Sequence, residues 1–485
     1  MTIRVLSAAS EAVPLIKTGG LADVVGALPD ALAVHDVKMS VLLPGYPAVM
    51  RAIGKGRLLQ AYPSLFGEPA RLVSAKLGDH PLVVLDAPGF FARDGGPYGD
   101  AAGRDWPDNW RRFAAFGRVA ADLAGGAIKG RRFDVLHAHD WQAAMAPAYL
   151  RFAPPERGAV ASVMTIHNMA FQGWFAPDIF PALGLPRAAW SIEGVEYNGG
   201  VGFLKAGLQA ASAITTVSPT YAAEIRDPAF GMGLEGLIRS RGEHVRGILN
   251  GIETAQWNPA SDPLLPVRFD ARKLDRRARN KRALEAEFGL DRGIDGADGP
   301  LFIVVSRLTW QKGMDVLIEA VDHLVAAGGR LALLGSGDAA FERAFEQAAA
   351  RHPGRVGVLI GYDEALSHRM QGGGDAILIP SRFEPCGLTQ LYGLAYGCVP
   401  VVARTGGLAD TVIDANVAAL QAGVATGIQF DGVTLSTLTA AISRAAALYA
   451  NREAWAAMQR QGMRGDFSWQ SSGKAYADLY RSLLA

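Results

Sequence analysis

Residues 17–23 read KTGGLAD, and residues 404–410 read RTGGLAD. The string TGGLAD thus occurs at 18–23 and at 405–410, each time behind a basic residue and ahead of an apolar, helix-like stretch. Paired glycines let backbone N–H groups approach a ligand, because no Cβ intrudes and positive φ costs little. A helix start adds unsatisfied N–H donors and the positive end of the helix dipole. Cation, glycine pair and helix start together suit an anion such as phosphate. One such unit near each end predicts two α/β halves facing a common ligand. Two ordinary strand-to-helix turns are the plainer alternative.

The sequence around these copies has the matching rhythm. Strand candidates lie at 3–8, 39–43, 81–86, 135–138, 161–165 and 213–217, then at 301–306, 330–334, 356–360, 376–380 and 399–403. Between them, stretches such as 21–32 place Leu21, Val24, Val25, Leu28 and Leu32 at helical spacing. Strands buried on both faces and followed by crossover helices predict parallel, doubly wound sheets. Two such sets predict an α/β protein of two Rossmann-like domains facing a central cleft, with ligands beyond the carboxyl ends of the strands. The boundary is expected within 250–266, where Asn250-Gly251 is a turn signal and Pro259, Pro263 and Pro266 follow without periodicity. This divides the chain into 1–255 and 256–485. Residues 291–300 (DRGIDGADGP) read as a loop before the second set of strands. Residues 469–485 read as an amphipathic helix, a candidate to pack back on the N-terminal domain.

Composition narrows the function classes. A chain of 485 residues predicts roughly two to four domains. A 49% hydrophobic and 20% charged composition is ordinary for a globular protein. A net charge of +1 offers no bulk attraction to nucleic acid or anionic membrane. The basic run at 268–282 is interrupted by acids and has the spacing of a solvated helix. Only Cys386 and Cys398 are present, so no disulfide framework exists and a reducing compartment is expected. Residues 1–10 read as a strand rather than a signal peptide, with Arg4 inside and Glu11 following. The longest uncharged stretch, 206–223, carries Gln209, Ser212, Ser218 and Pro219 and makes a poor membrane span. A cytoplasmic location is expected.

Several motifs carry chemistry. In 381–394 (SRFEPCGLTQLYGL), Pro385 biases Glu384 toward an extended conformation ahead of a helix expected to start near Gly387. The N–H groups of Gly387, Leu388 and Thr389 then suit an anion, and Glu384 suits sugar hydroxyls. Residues 306–313 (SRLTWQKG) place Arg307 and Lys312 just past a strand, a planar fork and a mobile point charge for phosphate oxygens. Residues 135–142 (VLHAHDWQ) and 165–173 (TIHNMAFQG) put His137, His139 and His167 at strand ends. No further His or Cys completes a metal-ligand spacing, so Asp140 and His167 read as hydroxyl partners. The absence of Asp-x-Asp leaves no carboxylate pair for a metal–diphosphate complex. Residues 335–340 (GSGDAA) match the weakest form of the dinucleotide fingerprint and read as a close strand-to-helix turn. Cys386 reads as a small packing residue. Residues 96–112, with Tyr98, Trp106, Asn109 and Trp110, form an aromatic and polar loop suited to sugar faces.

Taken together these strings closely resemble bacterial glycogen synthases and plant starch synthases. The shared stretches are 17–29 (KTGGLADVVGALP), 96–109, 137–142, 165–168, 250–252, 306–313, 381–394 and 404–412, running end to end in the family's order. The resemblance implies a GT-B fold, with the donor nucleotide held mainly by the second domain. It implies retaining transfer of glucose from ADP-glucose to the non-reducing end of an α-1,4-glucan such as glycogen or maltooligosaccharides. No cofactor or metal is expected. It places Lys17, with the Gly19 and Gly20 backbone, at the donor phosphates, and Arg307 and Lys312 on the departing diphosphate. Glu384 would contact the glucose, helped by Cys386, Gly387 and Leu388, while Thr389 meets a phosphate. His167, Asp140 and Asn250 would touch sugar hydroxyls, Tyr362 would lie near the adenine, and Tyr98, Trp106 and Asn109 would meet the acceptor. Glu253 stands where the family usually has Asp, and Met169 and Phe171 where Leu and Tyr are commoner. The alternatives are a UDP-glucose-dependent relative, a glycoside hydrolase, a non-catalytic glycan-binding module and an NAD oxidoreductase. A hydrolase needs two flanking carboxylates where only Glu384 is suitably set, and a glycan-binding module needs no phosphate cradle.

Overall fold

The computed structural model describes residues 2–155, 160–291 and 299–485. Met1 and most of the expected 291–300 loop, residues 292–298, lie outside the described residues. The chain forms two compact units: residues up to Gly251 joined by Trp469–Ala485, and Ile252–Ser468.

The first unit carries β1 (Ile3–Ala8), β2 (Val37–Pro44), β3 (Arg57–Leu65), β4 (Glu68–Leu77), β5 (His80–Asp86), β6 (Val135–His139), β7 (Ala161–Ile166), β8 (Trp174–Phe175), β9 (Glu196–Tyr197), β10 (Gly200–Gly202), β11 (Ala213–Thr216) and β12 (Val245–Gly247). Nine of them form one sheet in the order β12-β11-β7-β6-β1-β2-β5-β4-β3, and β8-β10-β9 form a small one. From β12 to β5 the large sheet is parallel. Strand order reverses at β1, which lies between β2 and β6, so the crevice for a ligand opens beyond the carboxyl ends of β1 and β6.

The antiparallel edge formed by β3 and β4 departs from the expected all-parallel sheet. A two-residue turn, Phe66-Gly67, joins them with φ of 50° and 85°, the positive pair that a type I′ hairpin requires. β3 is exposed along most of its length and so lacks a continuous apolar signal.

The helix Gly20–Ala33 and the terminal helix Trp469–Leu484 bury Val24, Leu28, Leu32, Trp469, Tyr476 and Tyr480 with Val5, Met39 and Val135 of the sheet. Each such large apolar side chain contributes on the order of 1.5–3 kcal/mol by leaving water. Arg481 ties the terminal helix down further by donating to the carbonyl of His35 at 2.7 Å.

The second unit carries β13 (Leu301–Val305), β14 (Arg330–Gly335), β15 (Val356–Ile360), β16 (Ala376–Ile379), β17 (Val399–Ala403) and β18 (Ile428–Phe430). All pair in parallel, in the order β15-β14-β13-β16-β17-β18. This is the doubly wound 3-2-1-4-5-6 order, with its switch point between β13 and β16. The GSGDAA stretch is a packing turn here. A Cβ on Gly335 would meet the Ser306 carbonyl at 2.1 Å, and Asp338 caps the helix Ala339–Arg351.

Candidate functional site

In the second unit the loops that leave β13 and β16 at the switch point carry Arg307, Lys312 and Glu384. Trp310–Lys312 forms a short 3-10 turn that ends at Gly313 with φ of 70°. A Cβ at Gly313 would sit 2.0 Å from the Pro380 carbonyl, so only glycine lets the two loops touch. Lys312 Nζ then donates to Glu384 Oε2, which also accepts from Ser381 Oγ at 2.9 Å. Both members of this ion pair are mostly buried, with side chains 16% and 10% exposed. Arg307 is exposed, and its guanidinium makes no hydrogen bond or ion pair among the described residues.

Arg382 binds the two loops together. It forks onto Asp315 with two 2.7 Å bonds, donates to the Trp310 carbonyl and stacks 4.3 Å over the Trp310 ring. The helix after Glu384 is Thr389–Tyr396. It begins two residues later than expected, because Gly387 adopts a left-handed φ of 72° and Leu388 caps the helix. Gly387, Leu388 and Thr389 remain half-buried ahead of it, Cys386 is buried, and Leu391 and Leu394 anchor its inner face.

The repeated TGGLAD divides into two jobs. In the second copy, Cβ atoms on Gly406 and Gly407 would meet the carbonyls of Glu384 and Cys386 at 2.0 and 2.1 Å. Gly407 N–H donates to Glu384 O at 3.1 Å, so this copy braces the Glu384 loop. In the first copy Gly19 is extended (φ −160°) and caps Gly20–Ala33, and a Cβ there would meet nothing within 4 Å. Positive φ is therefore not what requires glycine at 19. Lys17 is partly exposed and pairs with Asp23 of the same copy at 2.8 Å.

Glu11, which belongs to no motif in the sequence, organises this loop. Its carboxylate accepts from the Thr18 N–H, from Thr18 Oγ1 at 2.5 Å and from the Tyr98 hydroxyl. Glu11 is 2% exposed, and it links the Lys17 loop to the aromatic 96–112 loop. Burial and the Glu11 charge push the Tyr98 hydroxyl well above its ordinary pKa. Asn109 begins the helix Asn109–Ala124, donates to the Tyr98 carbonyl at 2.8 Å and accepts from Arg112 at 2.6 Å. Its amide is thereby committed inside the loop. Trp106 is half-buried with Arg93 5.2 Å from its ring.

The strand ends of the first unit gather polar groups at its own switch point. Asp140 follows β6 with φ of 53°, a strained value for a residue with a side chain. Its Oδ1 accepts from the His167 N–H at 2.7 Å. Burial raises its carboxyl pKa to about 7, with backbone N–H bonds from His167 and Asn168 opposing and the Glu11 charge assisting. His137 and His139 are fully buried, and His139 Nδ1 lies 3.0 Å from His167 Nε2. Burial lowers the pKa of His137 and of His167 to about 3. Asn250 is buried, and its Oδ1 has no hydrogen-bond partner among the described residues. Tyr362 is 74% exposed, with its hydroxyl 2.9 Å from Glu364. Among the described residues no group of three His, Cys, Asp or Glu is placed to hold a metal ion, and no helix is long and apolar enough to cross a membrane.

Comparison with known proteins agrees with this arrangement. Residues 4–240 match the family model for the starch synthase catalytic domain, and residues 293–461 match that for glycosyl transferases group 1. A glycogen synthase of Novosphingobium aromaticivorans is 72% identical, covering 100% of this chain and 99% of that one. One from Mesorhizobium japonicum is 58% identical, again over 100% and 99%. The catalytic domain of starch synthase IV from Arabidopsis thaliana, solved with ADP and acarbose, superposes with a TM-score of 0.88 at 31% identity, covering 100% of both chains. A sucrose-phosphate synthase from Thermosynechococcus elongatus shares the fold, with a TM-score of 0.60 at 17% identity over 99% of each chain. With full-length identity of this order and both switch points equipped, the chain belongs to the glycogen synthase and starch synthase family of GT-B glycosyltransferases.

Proposed function

We propose that this glucosyltransferase takes its glucose from ADP-glucose and adds it, with retention, to the non-reducing end of an α-1,4-glucan. The observation that carries the reading is the mostly buried Lys312–Glu384 pair beside exposed Arg307 at the β13/β16 switch point. Two cations there suit a diphosphate, and a carboxylate beside them suits a hydroxylated sugar. The ADP and acarbose of the Arabidopsis relative support a nucleotide diphosphate donor and a glucan acceptor.

Breaking the anomeric bond leaves an oxocarbenium-like sugar and an ADP carrying added negative charge. Arg307 and Lys312 stabilise that charge, and preorganised cations do so best where water is excluded. ADP leaves readily, so no strong general acid is needed. The acceptor hydroxyl attacks from the face that ADP vacates, and its proton passes to the departing phosphate. Lys17, with the Gly19 and Gly20 N–H groups, meets the donor phosphates, as does Thr389. Glu384, His167, Asp140 and Asn250 hold sugar hydroxyls, with Cys386, Gly387 and Leu388 offering backbone groups. Tyr362 flanks the adenine, and Tyr98 and Trp106 flank the acceptor, braced by Asn109. The reaction needs no metal or other cofactor and takes place in the cytoplasm.

Incubation with ADP-glucose or UDP-glucose and a maltooligosaccharide primer, followed by nucleotide release and chain length, tests this. Chain extension at least tenfold faster with ADP-glucose is expected. Preference for UDP-glucose overturns the donor, and nucleotide release without chain growth overturns the acceptor.

A further inference from the structure

The strand order β7-β6-β1 brings three polar side chains into a row: Ser7 on β1, His139 at the end of β6 and His167 just past β7. Ser7 Oγ lies 3.1 Å from His139 Nε2, and His139 Nδ1 lies 3.0 Å from His167 Nε2. Ser7 and His139 are both fully buried. His139 is the only hydrogen-bond partner of the Ser7 hydroxyl among the described residues. The His139 ring packs against His137, with ring centroids 4.1 Å apart and planes tilted by 32°. His137 is itself pinned between Tyr480 OH and Thr165 Oγ1 at 2.8 and 2.5 Å.

With all rings neutral, this row admits two proton arrangements. In one, Ser7 O–H donates to His139 Nε2, and His139 Nδ1–H donates to His167 Nε2. The His167 proton then sits on Nδ1. In the other, both histidine protons run the opposite way, and Ser7 Oγ only accepts. The Ser7 hydroxyl proton would then be buried without an acceptor, which is costly. Only the first arrangement gives the buried Ser7 hydroxyl proton an acceptor.

We infer that Ser7 and His139 are positioning residues that fix the His167 proton on Nδ1, so that His167 offers an outward N–H donor to a ligand oxygen. Nδ1 of this half-buried residue makes no hydrogen bond among the described residues. A donor of this kind fits the lone pair of a sugar hydroxyl or of a bridging oxygen, and it cannot serve as a general base. Burial, which lowers His139 well below and His167 to about 3, keeps both rings neutral at working pH. The ligand assignment rests on the proposed function, whereas the proton assignment does not.

Long-range 1H–15N correlation spectra of the full chain labelled with 15N-histidine report which ring nitrogen carries each proton, with His167→Gln and His139→Gln assigning the signals. His139 and His167 are both expected as Nδ1–H forms. Ser7→Ala, which removes one buried oxygen, is expected to give mixed tautomers at both rings. It should lower kcat roughly five- to tenfold, the worth of one neutral hydrogen bond, with the glucan KM unchanged. Ser7→Thr should restore both. An Nε2–H form of His167 in the native chain overturns the inference, as do unaltered tautomers in Ser7→Ala. Mixed tautomers with an unchanged kcat overturn the positioning role. If Ser7→Ala does not fold, the native spectrum alone decides the proton. If the native chain transfers no glucose, the proposed function fails while the spectra still decide the proton assignment.

Discussion

Replacing Lys312 with methionine separates two things the residue does, stabilising its own domain and stabilising the leaving group. The side chains of Lys312 and Glu384 are 16% and 10% exposed, so the pair lies between a surface bridge worth about 0–1 kcal/mol and a fully buried one whose disruption costs about 3–5 kcal/mol. After Lys312→Met, Glu384 keeps, among the described residues, only the Ser381 hydroxyl at 2.9 Å, which places the loss at about 2–3 kcal/mol. A domain of roughly 150–250 residues loses about 2–4 °C per kcal/mol, so a Tm drop of about 4–12 °C is expected. Arg307→Ala removes an exposed cation with no partner among the described residues and should leave Tm unmoved. ADP release from ADP-glucose should fall in both variants by about 10²–10³. Adding Glu384→Gln to Lys312→Met removes the orphaned charge and should recover most of the Tm without recovering turnover. Equal Tm losses in the two single variants would refute the reasoning about the pair. Near-normal turnover in both would remove them from the leaving-group role.

Gly19→Ala should fold normally, since its Cβ meets nothing within 4 Å, yet raise the donor KM at least tenfold; an unchanged KM would show that no ligand approaches that backbone. Gly407→Ala places a Cβ 2.1 Å from the Cys386 carbonyl and should lower Tm and activity together, as melts and assays on one preparation would reveal. Asp140, raised to about 7 by burial, stabilises the fold fully below the ordinary carboxylate pKa of about 4 and less as pH rises through 7. Asp140→Asn should therefore gain Tm over the native chain increasingly from about pH 4 to 7 and level off above; a gap independent of pH would contradict this. Glu11→Gln weakens the tie between Thr18 and Tyr98 and should raise the KM for donor and for glucan together, so a change in only one would mean the loops are not linked through it.

Much of this molecule was legible in the sequence because parallel strands buried on both faces leave long apolar signals. Five of the second unit's six strands carry that signal, and the strings at 306–313 and 381–394 mark the loops bearing Arg307, Lys312 and Glu384, whereas β18 is only three residues long and has none. What stayed hidden had no periodic or motif signature. β3 is an exposed edge strand, and its hairpin turn uses Phe66, a residue no turn rule favours. Glu11 looked like a polar residue after a strand, and only the fold brings Thr18 and Tyr98 to it. Arg382 sat inside a recognised motif, but its fork onto Asp315 depends on two loops meeting at Gly313. Ser7 carried no signal at all, because its partner is 132 residues away. Identical hexapeptides also meet different surroundings: Gly19 of the first copy has nothing within 4 Å of a Cβ, whereas Gly406 and Gly407 of the second face carbonyls.

The terminal helix Trp469–Leu484 has a consequence for how the chain is made. It supplies Trp469, Tyr476 and Tyr480 to a core whose other members include Ile3, Val5, Val24 and Val135. Domains generally fold as they leave the ribosome, at about 5–20 residues per second. Here the first domain waits for its last wall while roughly 200 further residues are synthesised, a delay on the order of tens of seconds. During that interval Val24, Leu28 and Leu32 lack the cover they have in the finished protein. The second domain, continuous from Ile252 to Ser468, can close before the first. The unit begun first is thus the last to be completed, and a nascent-chain chaperone would find its apolar target on the face of Gly20–Ala33.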